Sequence, residues 1–559
     1  MISTPAPPRV ASVAVPGLGL AGLVASVGLG AAVALGWLPW DRYAKAALLV
    51  VQYGLVLPAA LRFRRAAGVA GGEPFGRELR YAAILLLCAV AMPLAAHLGD
   101  AIYSGDESAY LFQARLFAAG RLTAESPAEV APPRVFRFQH HLMHEGRWFG
   151  KYPPGWPALL APATLVHGER LLNPLAALMI LWLTWRIGLL LFGIVVADHA
   201  VLLLAASPFF TLSCVDYLSH APACLLLALA LYCLLLAWRG RHPARSLGGM
   251  LLALFLLALV RPYVAAWTGS LLGLGALWLL RFRWRKALLL AGAGAAAAVL
   301  ALFVLLWFNK LVTGAYWPHA YALYTGTREI AEVSLSPASL WRNLTTLTAH
   351  ALGETLLAGF PFLPLLAGFA VWRNRRRSKV ILLLAALAAS LVVAYLAQSR
   401  SSFSLVGERY YFETFFLMAL LGALGWTEFW AGRTQAARLA LGACLLLQMV
   451  LFPVYGRRLL DAHAPSRQVL RAVRELPLDD AVVFLRNSVH FRAFDLNPNP
   501  PDWRRAPLFL MADPGPARRR DVVCSLGRRR WVTAGYDDAR GVALVGAAQP
   551  VNCPRPGSE

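Results

Sequence analysis

The chain of 559 residues is 58% hydrophobic and sets 53 Lys plus Arg against 29 Asp plus Glu, a net charge of +24. Soluble domains are nearer half apolar, and uncharged windows of roughly 17 to 22 residues recur here, long enough to cross a ~30 Å hydrocarbon core, so a soluble globular protein is excluded. The charge does not argue for nucleic acid, because no basic domain with interleaved aromatics occurs and the Arg clusters sit in short connectors between apolar runs.

The N-terminus lacks a basic n-region and a clear cleavage site, so Val13–Leu38 is expected to be a retained span. Ala44–Leu61 follows, then a basic loop at Arg62–Arg80. With that loop cytoplasmic, Tyr81–Leu98 exits to the far side and Gly99–Tyr152 is a long polar loop there. Further apolar runs are Gly155–Val166, Leu171–Phe192, Val195–Leu212, Ala221–Trp238, Leu247–Val260, Val264–Leu280 and Ala287–Trp307. After a second polar loop, from Asn309 to about His350, come Ala351–Val371, Val380–Ala397, Tyr411–Trp430 and Leu439–Val454. The positive-inside rule makes the connectors at Arg281–Lys286, Arg373–Lys379 and Arg433–Arg438 cytoplasmic. This puts the second polar loop, the stretch "GERYYFE" (Gly407–Glu413) and the tail on the same side as Gly99–Tyr152. Parity requires an odd number of crossings between Tyr152 and Arg281, yet six runs are present. Either Gly155–Val166 does not cross, or Arg261-Pro262 breaks one long segment in two. The expected fold is a polytopic α-helical membrane protein of about 12 to 14 spans.

From about Tyr455 the chain turns polar. "SRQVLRAVREL" has helical spacing, and "AVVFL", "WVTAGY" and "GVALVGA" read as strands, which suits a small α+β domain. Cys88, Cys214, Cys224, Cys233 and Cys444 lie in or beside apolar runs, as small buried hydrophobes do. Cys524 and Cys553 lie in the polar tail, where a disulfide would suit an oxidising compartment. No CxxC and no His/Cys metal spacing occurs.

Chemistry gathers in the polar loops. In "SGDESAY" (Ser104–Tyr110), Asp106 and Glu107 read either as first-turn acids favoured by the helix dipole or as a general base at the membrane surface. The helix they head has an apolar stripe of Tyr110, Leu111, Ala114, Phe117 and Ala118 opposite Gln113, Arg115 and Arg121, which suits a helix lying on the bilayer. In "GRWFGKYPPGWP" (Gly146–Pro157), Lys151 is either a snorkelling interfacial cation or a phosphate contact. His140, His141 and His144 lie between these motifs as candidates for metal, or for phosphate or sugar hydrogen bonding. Arg409 at an apolar boundary either pairs with Glu408 or Glu413 or contacts a phosphate. Arg261 carries the same two readings, with helix-break anchoring favoured. Asp216 and His220, in "CVDYLSHAP", are candidates to line a polar cavity.

An apolar span, Asp-Glu with Tyr three positions after the Glu, a helix ending in Gly, and Lys-x-Pro-Pro opening the next membrane segment occur in that order. With the later "RY", this arrangement resembles the GT-C membrane glycosyltransferases, and most of all the branch of protein O-mannosyltransferases and lipid A aminoarabinose transferases. The resemblance covers roughly Tyr81 to Val454. The two N-terminal spans and the tail lie outside its motifs, so the expected division is two N-terminal helices with a basic loop (1–80), a GT-C-like catalytic region (81–454, outer loop 99–152) and an extracytoplasmic domain (455–559). It implies Asp106 as catalytic base with Glu107 beside it, and Lys151, Arg409 and Tyr410 near the donor phosphate. Tyr110, Tyr152, His140, His141 and His144 are the remaining substrate-binding candidates. The implied donor is a polyprenyl-phosphate sugar, with no nucleotide and no metal required, and the acceptor is a hydroxyl on a lipid, glycan or protein. The implied place is the outer face of a bacterial-type inner membrane. Two positions depart from the aminoarabinose transferases: Ala109 replaces an Arg and Gly150 replaces a Glu. The rival reading is a transporter or flippase of a lipid-linked or anionic solute. That class places ionisable groups near mid-span and shows internal repeats. Here no repeat is evident and the acids concentrate in the outer loops.

Overall fold

The computed structural model describes residues 78–553 except 128–135, 137, 326–335, 347–352, 377, 397–402, 477–479, 506 and 511–512, and also Ala25 and Leu29. The expected spans Val13–Leu38 and Ala44–Leu61 thus lie outside the described residues, apart from those two positions.

Helix α1 (Glu78–Leu98) leads into α2 (Gly105–Ala118), the helix headed by Asp106. A three-stranded antiparallel sheet in the order β1–β3–β2 packs on it, built from β1 (Ala124–Glu125), β2 (His141–His144) and β3 (Arg147–Gly150). The bundle continues with α3 (Gly155–Thr164), α4 (Leu172–Leu191), α5 (Ile194–Ala205), α6 (Pro208–Ser213), α7 (His220–Trp238), α8 (Pro243–Val260), α9 (Pro262–Leu279) and α10 (Trp284–Thr313). Three short helices, α11 (Ala320–Thr325), α12 (Pro337–Thr346) and α13 (Gly353–Ala358), precede α14 (Leu363–Asn374) and α15 (Lys379–Leu396). The hairpin β4 (Phe403–Ser404) and β5 (Gly407–Glu408) leads through a 3-10 turn, Arg409–Thr414, to α16 (Phe415–Phe429) and α17 (Thr434–Arg474). Among the described residues, eight helical segments are long and apolar enough to cross a membrane.

The parity conflict resolves in favour of the short segment. Helix α3 has only 10 residues, and a Cβ at Gly155 would lie 2.6 Å from the Leu259 carbonyl, so its start abuts the end of α8. Just beyond it, Arg170 Nε donates to the Gly99 carbonyl at 2.5 Å, so the chain has returned to the end it left. Arg261-Pro262 does not break one segment. It joins two antiparallel helices, since the rings of Trp238 and Trp278, at the far ends of α7 and α9, lie 6.0 Å apart. The basic connectors collect at that far end: Arg239 donates to the Leu190 carbonyl at 2.6 Å, Lys379 Nζ lies 5.0 Å over Trp278, and Arg373 Nε sits 3.6 Å from Glu428.

Helices in lipid approach closely through small residues, because lipid offers no hydrophobic drive to bring them together. Here Gly422 and Gly425 of α16 receive α14, and a Cβ at Gly425 would lie 2.0 Å from the Leu366 carbonyl.

Position 455, where hydropathy falls, lies inside the 41-residue α17, and the helix expected at "SRQVLRAVREL" is its last turns. Beyond it stands a mixed five-stranded sheet of β6 (Ala481–Leu485), β7 (Leu508–Leu510), β8 (Arg530–Asp537), β9 (Val542–Val545) and β10 (Gln549–Pro550). Strand β6 is parallel to both β7 and β8 and fully buried, which is why "AVVFL" is a continuous apolar run. Helix α18 (Pro516–Ser525) ends at the Cys524–Cys553 disulfide, whose Cα atoms are 5.5 Å apart.

The polar face that sequence gives α2 is partly covered by protein. Gln113 on that face is buried, bonding the Leu122 carbonyl at 2.8 Å and accepting the Gly150 N–H at 3.0 Å. The small sheet and the C-terminal domain cover the face that sequence alone leaves open.

Candidate active site

Ser104 caps α2, its hydroxyl accepting the Glu107 N–H at 3.4 Å, so the acidic pair stands in the first turn. Successive helical residues point about 100° apart, and the two carboxylates accordingly diverge.

Asp106 faces a polar cluster. Its Oδ1 accepts the Tyr152 hydroxyl and lies 3.2 Å from His140 Nε2, and its Oδ2 lies 2.8 Å from the Arg409 guanidinium. Three separated motifs therefore meet on one carboxylate. Burial alone would raise the Asp106 carboxyl. The charges of Arg409, His140 and Lys151, with the Tyr152 bond, outweigh it and hold the group well below the usual carboxylate range. Burial also lowers the His140 imidazole, to about 3, against the pull of Asp106.

Lys151 is buried beside the cluster, its Nζ 4.4 Å from the ring centres of both Tyr321 and Tyr324 on α11 and 5.0 Å from Tyr152. Such a cage holds a cation by its ring quadrupoles. Tyr110 stacks on Tyr152 at 4.3 Å and bonds the Ser219 hydroxyl at 3.0 Å. Tyr410 stacks on Tyr395 at 4.2 Å. Glu413 does not serve Arg409: it lies 2.9 Å from both His220 Nδ1 and Arg261 Nε, forming a second buried polar group at the same end of the bundle.

Glu107 turns away from Asp106. Its oxygens accept the Tyr103 N–H at 2.9 Å and the Tyr217 N–H at 3.1 Å, with His463 of α17 at 3.8 Å and Arg170 at 4.0 Å. It locks α2 to its neighbours. His141 is buried against Phe112 and bonds the Gln139 carbonyl at 2.8 Å, and His144 sits at the far end of β2 beside the exposed Glu145. Of the three histidines, His140 is the one brought to Asp106. Among the described residues, no group of three or more His, Cys, Asp or Glu is placed to hold a metal ion.

An apolar cleft of about 650 Å³ opens three residues past Lys151, lined by Phe117, Leu122, Pro154, Ala158, Phe308 and Leu311 among others.

ArnT from Cupriavidus metallidurans superposes on the chain both in its apo state and bound to undecaprenyl phosphate. The apo structure is 14% identical and matches 82% of this chain and 94% of that one, with a TM-score of 0.51. The structure bound to undecaprenyl phosphate is also 14% identical, over 81% and 93%, with a TM-score of 0.51. The chain has the GT-C fold. The Archaeoglobus fulgidus oligosaccharyltransferase in its apo form is more distant, at 14% identity over 82% of this chain and 69% of that one and a TM-score of 0.48. No protein-family model matches the sequence, and no curated protein does.

Within this GT-C fold the two departures noted in sequence meet in space. A Cβ at Gly150 would lie 3.0 Å from the Ala109 carbonyl, so β3 lies directly against α2 at these two positions. Sequence reasoning missed Tyr321, Tyr324 and Tyr395, whose signal is that of an ordinary interfacial aromatic belt.

Proposed function

We propose that the protein is an integral-membrane glycosyltransferase that moves a sugar from a polyprenyl-phosphate donor to an acceptor hydroxyl on a lipid, glycan or protein at the outer face of the membrane. The observation that carries this reading is the convergence of Tyr152, His140 and Arg409 on Asp106, at the end of the bundle opposite the basic connectors. The ArnT likeness in its undecaprenyl phosphate-bound form supports a lipid phosphate as ligand.

In this reading the donor phosphate enters between Lys151 and Arg409, and its chain follows the apolar cleft beside Pro154. The monoanionic phosphodiester of the donor draws both cations away from Asp106, and the carboxylate recovers the basicity those charges suppress. Asp106 then takes the proton as the acceptor oxygen bonds to the anomeric carbon. The bond from that carbon to the phosphate oxygen breaks, and polyprenyl phosphate leaves with inversion. Tyr152 and His140 orient the base, and Tyr110 and Tyr410 wall the pocket.

Purified protein in sealed proteoliposomes, given a labelled polyprenyl-phosphate sugar and envelope extract, is expected to transfer label to an acceptor identified by mass spectrometry. Movement of the lipid-linked sugar across the bilayer without any transfer would replace this reading with the flippase.

A further inference from the structure

Helix α10 is exposed along most of its 30 residues, and its buried residues are Ala301, Asn309, Val312 and Thr313, three of them in its last turns. Asn309 is a hub there. Its Nδ2 donates to the carbonyls of Ala315, Tyr316 and Pro318 at 2.8, 3.1 and 3.2 Å, and its Oδ1 accepts the Ala320 N–H at 2.8 Å. An amide nitrogen carries two hydrogens, so the carbonyls share them in bifurcated bonds. These partners also fix which way the amide points, since only its oxygen can accept an N–H and only its nitrogen can donate to a carbonyl. Thr313 closes the same turn, its hydroxyl 2.8 Å from the Asn309 carbonyl and 2.9 Å from that of Ala315.

What this knot holds is α11, whose first residue is Ala320. Tyr321 and Tyr324 of that helix close on Lys151, their ring centres 4.4 Å from its Nζ. The Tyr324 ring also stands 5.1 Å from that of His140, the partner of Asp106. The same corner grips β3 from its other side. Val312 and Ala320 pack on Phe149, two residues before Lys151, in a small core of their own with Leu142 and Phe308. A helix of six residues is too short to stand by its own hydrogen bonds, so its place depends on such contacts. Each bond from Asn309 replaces one to water and adds little net stability, but together they specify one shape for the corner.

We propose that Asn309 is a positioning residue for the donor site: it fixes the corner between α10 and α11, so that Tyr321 and Tyr324 hold Lys151 where the donor phosphate is met. The second polar loop thereby builds one wall of the site. The inference rests on Lys151 contacting that phosphate.

The full-length protein is compared with Asn309→Ala, Thr313→Val, Lys151→Met and the double variant Asn309→Ala/Lys151→Met. The measurements are titration with a polyprenyl-phosphate sugar, transfer kinetics, and amide hydrogen exchange of residues 320–325. Asn309→Ala is expected to weaken donor binding about tenfold with kcat changed less than about twofold, as when binding is lost equally in the ground and transition states. Exchange across α11 and acylation of Lys151, read by mass spectrometry, should both quicken. In the Lys151→Met background the same substitution should change affinity less than about twofold, because a residue acting through Lys151 has nothing left to position. Thr313→Val keeps the shape and releases one contact, so its effects should run the same way and be smaller. It takes the place of the alanine variant in the cycle if that variant does not fold. Affinity losses that simply add in the double variant overturn the proposal, as do wild-type affinity and exchange in both Asn309→Ala and Thr313→Val. If the wild type binds no such sugar, the glycosyltransferase reading fails, while exchange and Lys151 acylation still decide whether Asn309 holds the cage.

Discussion

Asp106 is engaged on both oxygens, and this sets what each nearby substitution should do. Asp106→Asn keeps the shape and the N-terminal turn but cannot take a proton, so transfer is expected to fall about 10²–10⁴-fold while the protein still folds and inserts. Near wild-type turnover of that variant would remove Asp106 from the mechanism. On the proposed reading, Lys151→Met and Arg409→Gln each delete a charge-assisted phosphate contact of about 1.5–3 kcal/mol, so donor affinity should drop roughly tenfold to 150-fold, read by titration with a polyprenyl-phosphate sugar. Thermal stability separates the two. Lys151→Met retains an apolar stem among Tyr152, Tyr321 and Tyr324, and its melting midpoint should hardly move. Arg409→Gln strips Asp106 of a counter-charge. The depressed Asp106 carboxyl contributes stability above its unfolded value that fades as pH falls, and this contribution shrinks in the Gln variant. Melting measured at neutral and acid pH should show the gap between wild type and Arg409→Gln narrowing toward acid. Sequence supplied the Asp, the Lys and the Arg-Tyr, because each stands in a short motif at an apolar boundary. It could not supply their meeting, since Arg409 reaches Asp106 across 303 positions.

At the scale of elements, the placement of Lys151 depends on α3, a helix too short to cross. Its first residue, Gly155, abuts the last turn of α8, where a Cβ would sit 2.6 Å from both the carbonyl carbon and oxygen of Leu259. Backbone cannot swing aside as a side chain does, so Gly155→Ala must shift α3, at a cost of about 1–3 kcal/mol. Lys151 lies four residues before it, and Arg261 caps the helix it would push against, so donor affinity should weaken along with the melting temperature. Gly248→Ala on α8 is the control. Nothing lies within 4 Å of a Cβ there, and the substitution should stabilise by about 0.5–1 kcal/mol through helix propensity. Equal effects of the two substitutions would show that the close approach is unimportant. Most of the long helices were legible from apolar length, and β6, β8 and β9 from their buried or alternating patterns, but the expected span Val195–Leu212 is divided between α5 and α6, and the described part of Ala351–Val371 between α13 and α14. The setting of α2 was not, because its polar residues bond to β3 and to the loop after it, and periodicity cannot tell water from a covering domain.

For the whole molecule, the basic connectors at one end and the site and C-terminal domain at the other make orientation a testable property of the chain. The five other cysteines are free and Cys524 is bonded to Cys553. Alkylation of denatured, non-reduced protein should therefore label five thiols, and two more after reduction. Removing the bridge should loosen the soluble domain by about 2–5 kcal/mol. That loss should reach the site, because the domain touches it at several points. Its Arg504 pairs with Glu125 after α2, Asn497 bonds Ser108 within α2, and α17 runs unbroken from the membrane region into the domain, with Arg474 pairing Asp100 before α2. A Cys524→Ser variant serves both purposes. Its transfer rate should fall with its melting temperature, and its remaining Cys553, partly exposed in the structure, should react with a membrane-impermeant thiol reagent in intact cells. Positive connectors held inside by the insertion rule leave this domain outside, so labelling should not require permeabilisation. Labelling seen only after the membrane is opened would put the domain in the cytoplasm, where no polyprenyl-phosphate sugar facing outward could meet Asp106.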